Sequence, residues 1–178
     1  MSALIERLKT ERIEEIAAAF AKLGWNKPAS QYERYLEEQD SGLRVVLVAT
    51  LEGVFAGYVT VVWETEYEPF RAGRIPEIVD FNVLPHFRRK GIGTMLMAAA
   101  EKLIGERSAI AGIGVGMDSD YGAAQILYAK RGYLPDGHGL HYDNRKLKYG
   151  DVVSVDDSLC LHFTKKLSGN LGNITLPS

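Results

Sequence analysis

PEIVDFNVLPHFRRKGIGTMLMAAAEKLIGER, residues 76–107, reads as a strand, a basic glycine turn and a helix. Ile78–Val83 is a short apolar run interrupted by one charge, Asp80. Leu84-Pro85 stops it, because proline cannot donate to a strand ladder. Arg88, Arg89, Lys90, Gly91, Ile92, Gly93 and Thr94 follow. After Gly93 the spacing of Met95, Leu96, Ala99 and Leu103 predicts a helix, with Arg107 in its last turn. The start of a helix carries backbone N–H groups without intrahelical partners and a partly positive dipole end. Two glycines there admit a ligand close to the backbone, and three cations flank them, so the turn suits a pyrophosphate.

The turn is not a Walker loop, since G-x-x-x-x-G-K-[ST] is missing. It is not a dinucleotide fingerprint, because Leu96 stands at the third glycine position. Arg88-x-x-Gly91-x-Gly93 instead resembles the R/Q-x-x-G-x-G/A motif of the GNAT superfamily of N-acetyltransferases.

The 178 residues fit one domain, 1–167, followed by a mobile tail at 168–178. Hydrophobic residues make up 46% and charged residues 25%, a globular balance, and the net charge of −2 argues against nucleic acid as the main partner. With Cys160 the lone cysteine, neither an intramolecular disulfide nor a cysteine zinc site can form. The N-terminus has no apolar signal core and no run is long enough to span a bilayer, so no membrane partner and a cytoplasmic location are expected.

Outward from the quoted stretch, Leu4–Leu8 reads as a strand. Thr10 is placed to cap a helix over Glu11–Leu23, with Ile13, Ile16, Ala17 and Phe20 on one face. Ser30 and Glu33 have capping-box spacing for a helix over Gln31–Gln39. Arg44–Thr50 and Val54–Trp63 form a hairpin about Glu52-Gly53, and Glu64–Ile75 reads as a loop. Ile110–Met117 is a buried strand whose Gly112-x-Gly114-x-Gly116 reads as close packing of a neighbour rather than a cofactor loop. Gly122–Arg131 is a helix, Tyr133 opens a strand, and a turn falls at Asp143-Asn144 within the 135–157 connection. Ser158–Lys165 is the last strand, with Leu159, Leu161 and Phe163 inward.

A second segment carries the resemblance further. Gly122–Tyr133, GAAQILYAKRGY, is similar to the family's N-x-x-A-x-x-L-Y-x-K-x-G-F segment: Ala124, Leu127, Tyr128, Lys130, Gly132 and Tyr133 all match, and Tyr121 stands where asparagine is frequent. The resemblance covers roughly residues 3–167, element order included. It implies an α/β fold with a mixed, splayed central sheet flanked by helices on both faces. It implies acetyl-CoA as co-substrate in a V-shaped cleft between Ile78–Val83 and Ile110–Met117. The pantetheine would pair along Phe81, Asn82 and Val83, the pyrophosphate would lie on the amides from Arg89 to Thr94, and Tyr121, Ala124 and Tyr128 would line the arm.

The resemblance also implies roles. Tyr128 would protonate the departing thiolate, a reading preferred here to that of a core aromatic with its hydroxyl paired. Glu77 would take the proton of the acceptor ammonium; it reads equally as an ordinary carboxylate at a strand end. Asp80 is the rival base, although strand alternation puts it on the face opposite Glu77 unless a bulge intervenes. Trp25, Tyr32, Trp63, Tyr67 and Phe70, with Glu64, Glu66 and Glu68, could form an acceptor pocket; each reads more simply as core or loop. The four histidines lack metal-ligand spacing, and no metal is expected. The expected reaction is direct attack of a primary amine, on a small molecule or a peptide, in a ternary complex. The alternative is an acetyl-CoA-binding regulatory module without turnover, and a homodimer is left open.

Overall fold

In the computed structural model, which describes residues 3–168, the chain alternates strands and helices. β1 (Ala3–Arg7) leads through a 3-10 turn at Thr10–Arg12 into α1 (Ile13–Ala21) and α2 (Ala29–Asp40). β2 (Arg44–Leu51), β3 (Val54–Val62), the short α3 (Glu68–Gly73), β4 (Glu77–Val83) and α4 (Ile92–Gly105) follow. The remainder is β5 (Ile110–Gly116), α5 (Gly122–Lys130), β6 (Leu134–Tyr142), β7 (Arg145–Lys146) and β8 (Leu159–Lys166). The tail expected at 168–178 lies, beyond Ser168, outside the described residues.

Two compact units emerge. The first takes the residues up to Trp63 together with Ile78–Lys102; the second takes Glu64–Glu77 and the residues from Leu103 onward. In the first, β1 and β3 flank β2, both antiparallel to it. The β2–β3 turn places Glu52 and Gly53 at φ +52° and +83°, the left-handed pair that a tight hairpin needs. Gly57 of β3 meets β4 without a side chain between them: a Cβ there would stand 2.5 Å from the Asn82 carbonyl oxygen. The core joins Ile13, Ile16 and Phe20 of α1 to Tyr32 and Tyr35 of α2 and to Val46, Val48, Phe55 and Tyr58 of the hairpin. Burial of each large side chain contributes about 2 kcal/mol.

In the second unit β8 runs antiparallel to both β5 and β6. Asp143 and Asn144, at φ +48° and +60°, turn β6 into β7 as the sequence predicts.

Local capping departs from expectation. Neither Thr10 nor Ser30 caps a helix through its side chain. Thr10 is taken up in the 3-10 turn, and α2 begins at Ala29, so Ser30 is already the second helical residue and past the capping position. The 64–75 stretch is not all loop. Pro69 sits at the start of α3, where a proline costs no hydrogen bond, and Arg74 closes it at φ +51°. The buried residues of α4 are Ile92, Leu96, Met97, Ala100 and Ile104, whereas Met95 is 39% exposed; the apolar run over 95–100 hid the true phase of the helix. In β8 the buried residues are Leu159 and His162, and Leu161 and Phe163 are half-buried.

Candidate active site

The basic turn belongs to the first unit. α4 begins at Ile92, and Met95 N–H donates to Gly91 O at 3.0 Å, so Gly91 caps the helix. The amides of Ile92, Gly93 and Thr94 precede the first intrahelical donor. Arg89 and Gly91 take φ +60° and +80°, and a Cβ at Gly91 would meet nothing within 4 Å, so the absent side chain leaves space beside those amides. At Gly93, by contrast, a Cβ would stand 3.2 Å from Phe81 Cζ and 3.7 Å from Val83 Cγ2. This glycine brings the helix start down onto β4, uniting Phe81, Val83 and Gly93. Arg88, Arg89, Lys90 and Thr94 are exposed. Arg88 Nε donates to the Val83 carbonyl at 3.2 Å, and Lys90 Nζ lies 5.3 Å from the Phe87 ring centre. Donor set and open space both fit an anionic phosphate group.

Asp80, in the same unit, breaks the regularity of β4 with φ +48°. Its Oδ1 accepts from Lys27 Nζ at 2.7 Å and Asn82 Nδ2 at 2.8 Å. Its Oδ2 accepts from the Tyr58 hydroxyl at 2.5 Å, the Tyr35 hydroxyl at 3.0 Å and Gln31 Nε2 at 3.1 Å. A carboxylate with both oxygens so fully engaged has little lone-pair capacity left for a substrate proton. Burial and the Asp80 charge push Tyr35 up to about 12 and Tyr58 higher still, so both phenols remain donors.

Glu77 is set differently, in the second unit. It is 7% exposed, and the Thr65 hydroxyl donates to its Oε2. Thr65 is fixed in turn, since its Oγ1 accepts from Tyr67 N–H at 3.1 Å. Burial pushes the Glu77 carboxyl up to about 7; the Thr65 hydrogen bond opposes the rise and the Glu66 charge adds to it. A carboxyl near 7 is matched to accepting protons at neutral pH. Asp80 and Glu77, three positions apart on β4, keep separate sets of hydrogen-bond partners.

The glycines of β5 pack as the sequence predicts. A Cβ at Gly112 would collide with the Phe70 ring, one at Gly114 would lie 3.1 Å from His162 Nε2, and one at Gly116 would lie 2.5 Å from the Tyr121 ring. Tyr121 thus rests on β5, and its hydroxyl donates to Asp157 Oδ1 at 2.8 Å. On α5, Ala124 and Tyr128 share a face at i, i+4 spacing. Tyr128 is 5% exposed, and burial raises its phenol well above the ordinary range, so it stays protonated and able to donate. Cys160 is half-buried with its thiol raised chiefly by burial, which disfavours a thiolate.

Trp25, Tyr32 and Trp63 belong to the first unit and Tyr67 and Phe70 to the second. Tyr32, Tyr67 and Phe70 are fully buried core rings. The sequence reading missed His162 and His141, both buried in the second unit. His162 stacks on Tyr67 at 3.6 Å, with Phe70 and His141 edge-on to it. The one available signal was polarity within the apolar alternation of β8.

The family model described as the Acetyltransferase (GNAT) family matches residues 2–133. The chain belongs to this family. Among solved structures, the GNAT chain is similar to the ribosomal-protein-alanine N-acetyltransferase from Brucella melitensis at 22% identity and TM-score 0.68, over 92% of this chain and 99% of that one. It is similar to yncA from Salmonella typhimurium, solved with its cofactor acetyl-CoA, at 16% identity and TM-score 0.67, over 97% and 98% of the two chains. Ard1 from Thermoplasma volcanium matches at 20% identity and TM-score 0.67, over 94% and 99%. At such identities the likeness speaks to the fold, which is the α/β architecture of the GNAT acetyltransferases. No curated protein sequence matches the chain. The protein is an acetyltransferase by family. No described metal-ligand cluster occurs, and no described helix is long and apolar enough to cross a membrane.

Proposed function

We propose that the protein transfers the acetyl group of acetyl-CoA to a primary amine by direct attack in a ternary complex. The observation that carries this reading is the environment of Glu77: buried, tethered by Thr65 and raised to about 7. A structural strand-end carboxylate has no need of that environment, whereas a base for an acceptor ammonium does. Acetyl-CoA supplies an activated thioester. Phe81, Asn82 and Val83 would line its pantetheine arm, with the Val83 amide polarising the carbonyl. The amides from Arg89 to Thr94, with the charges of Arg88, Arg89 and Lys90, would hold the pyrophosphate. Tyr121 and Ala124 would flank the arm.

Glu77 takes a proton from the acceptor ammonium, which makes the nitrogen nucleophilic. The amine forms its bond to the carbonyl carbon, the carbon–sulfur bond breaks, Tyr128 supplies a proton to the leaving thiolate, and the second proton shed by the acylated nitrogen restores the phenol. One similar structure is a ribosomal-protein-alanine N-acetyltransferase; here the acceptor is proposed only as a primary amine, on a small molecule or a peptide. The test is release of free thiol from acetyl-CoA across a panel of amines and peptide N-termini. Binding of acetyl-CoA without thiol release from any member would favour a regulatory module.

A further inference from the structure

Gly114 lies against two buried side chains at once. A Cβ there would stand 3.1 Å from His162 Nε2 and 3.5 Å from Glu77 Oε1. The missing side chain leaves the space in which the carboxyl and the imidazole face each other, Oε1 to Nε2, at 3.9 Å. Thr65 already occupies the other oxygen of Glu77. The imidazole is clamped by Tyr67, stacked at 3.6 Å and 4°, and by the Phe70 and His141 edges. Its Nδ1 is buried and has no hydrogen-bond partner among the described residues.

Burial holds the His162 imidazole down at about 4, so it is neutral at pH 7 and its approach to Glu77 is not an ion pair. One proton must then choose between two buried ring nitrogens. On Nδ1 it would be a buried donor without an acceptor, and the Nε2 lone pair would face a carboxylate oxygen. On Nε2 it points at that oxygen and leaves a bare lone pair at Nδ1, the less costly arrangement. We propose that His162 is a positioning residue for Glu77: across the gap at Gly114, its Nε2–H dipole favours the ionised carboxylate that an acceptor ammonium must meet. The catalytic half of this statement rests on the reading of Glu77 as the base.

The other groups facing the pair do not supply that dipole. Thr65 serves Oε2, the Glu66 charge opposes ionisation of Glu77, and the Cys160 thiol donates to the Asp157 carbonyl. The Tyr67 hydroxyl donates to Asp136. The Asp136 charge favours a protonated His162, and His141 disfavours it.

The experiment is a carbon-13 NMR titration of the glutamate carboxyls, with Glu77 assigned by its loss in Glu77→Gln. It compares the wild type with His162→Phe, His162→Gln and Gly114→Ala. His162→Phe keeps the ring stack on Tyr67 and loses the donor, so the Glu77 midpoint rises by about one pH unit. His162→Gln carries an N–H to nearly the same place and restores most of the shift. Gly114→Ala sets a methyl 3.1 Å from His162 Nε2 and in ordinary contact with Glu77 Oε1 at 3.5 Å, so the ring gives by a few tenths of an ångström and the midpoint rises by a second route, which keeps the test open if His162→Phe fails to fold. A Glu77 midpoint unmoved in folded His162→Phe or Gly114→Ala overturns the proposal. The acidic limb of kcat/KM, measured with an amine from the thiol-release panel, moves with the carboxyl midpoint. If the midpoint moves and that limb stays, or if Glu77→Gln keeps the wild-type profile, the base assignment fails while the dipole stands.

Discussion

Lys27 Nζ stands 2.7 Å from Asp80 Oδ1, and each of the two side chains is 19% exposed. Asp80 meanwhile holds a left-handed backbone angle that aspartate and asparagine tolerate better than most residues. Asp80→Ala therefore removes the anchor for Lys27, Tyr35 and Tyr58 and strains the strand, at a cost of about 3 kcal/mol. Asp80→Asn keeps one acceptor oxygen and tolerates the angle, so it costs less than half as much. Urea unfolding of the two variants measures the difference, and equal losses would contradict this account.

Glu77 gives stability a pH dependence of unusual sign for a carboxylate. Its folded value of about 7 exceeds the ordinary 4.5, so the folded chain retains a proton that the unfolded chain releases. Stability from this group is fully present below 4.5 and falls as pH climbs through 7, by about 3 kcal/mol at pH 8. Glu77→Gln removes that decline and is more stable than the wild type in alkaline buffer. The same variant loses acetyl transfer at pH 7 and regains it at high pH, where the acceptor amine is already neutral. Thermal melts and rates across pH 5–10 test both statements.

Neutralising Arg88, Arg89 and Lys90 together to glutamine leaves the fold unchanged, since all three are exposed. Acetyl-CoA binding weakens about 10- to 100-fold and loses most of its salt dependence. S-acetylpantetheine, which lacks the phosphates, is affected little. Calorimetry that shows equal loss for both ligands would refute an electrostatic role for the turn. Charges are a better probe than the glycines here. A side chain at Gly93 would crowd Phe81, and one at Gly91 would be strained at φ +80°.

Tyr128→Phe removes one buried hydroxyl and keeps the ring. Where proton transfer to sulfur limits the rate, kcat falls by a factor of about 10² to 10⁴ while acetyl-CoA Kd stays within a factor of about 2. Wild-type turnover by Tyr128→Phe, with chemistry shown to be limiting, would make Tyr128 a packing residue.

Much of this molecule was legible because its signals are local. Pro85, Gly91 and Gly93 punctuate a strand, a turn and a helix within one stretch, and Glu52-Gly53 and Asp143-Asn144 announce hairpins through their own backbone preferences. The glycines of β5 were legible in kind, as close packing, but not in which rings would fill them. Capping failed where a two-residue shift in the start of α2 moved Ser30 out of reach of its role. The histidine beside Glu77 was hidden for a different reason. His162 has no local signature, and its meaning comes from Gly114, Tyr67 and Glu77, which the chain delivers from distant positions.

The bare face of β5 also bears on the order in which the second unit folds. Phe70, His162 and Tyr121 clothe Gly112, Gly114 and Gly116. Two of those rings arrive from more than forty residues away along the chain, one before the strand and one after it. Contacts of such long range form only after large loops have closed. The glycine face of the strand gains almost nothing until they do. β5 is therefore a late element of folding, and in quenched-flow hydrogen exchange its amides acquire protection after those of the β2–β3 hairpin, whose pairing is local.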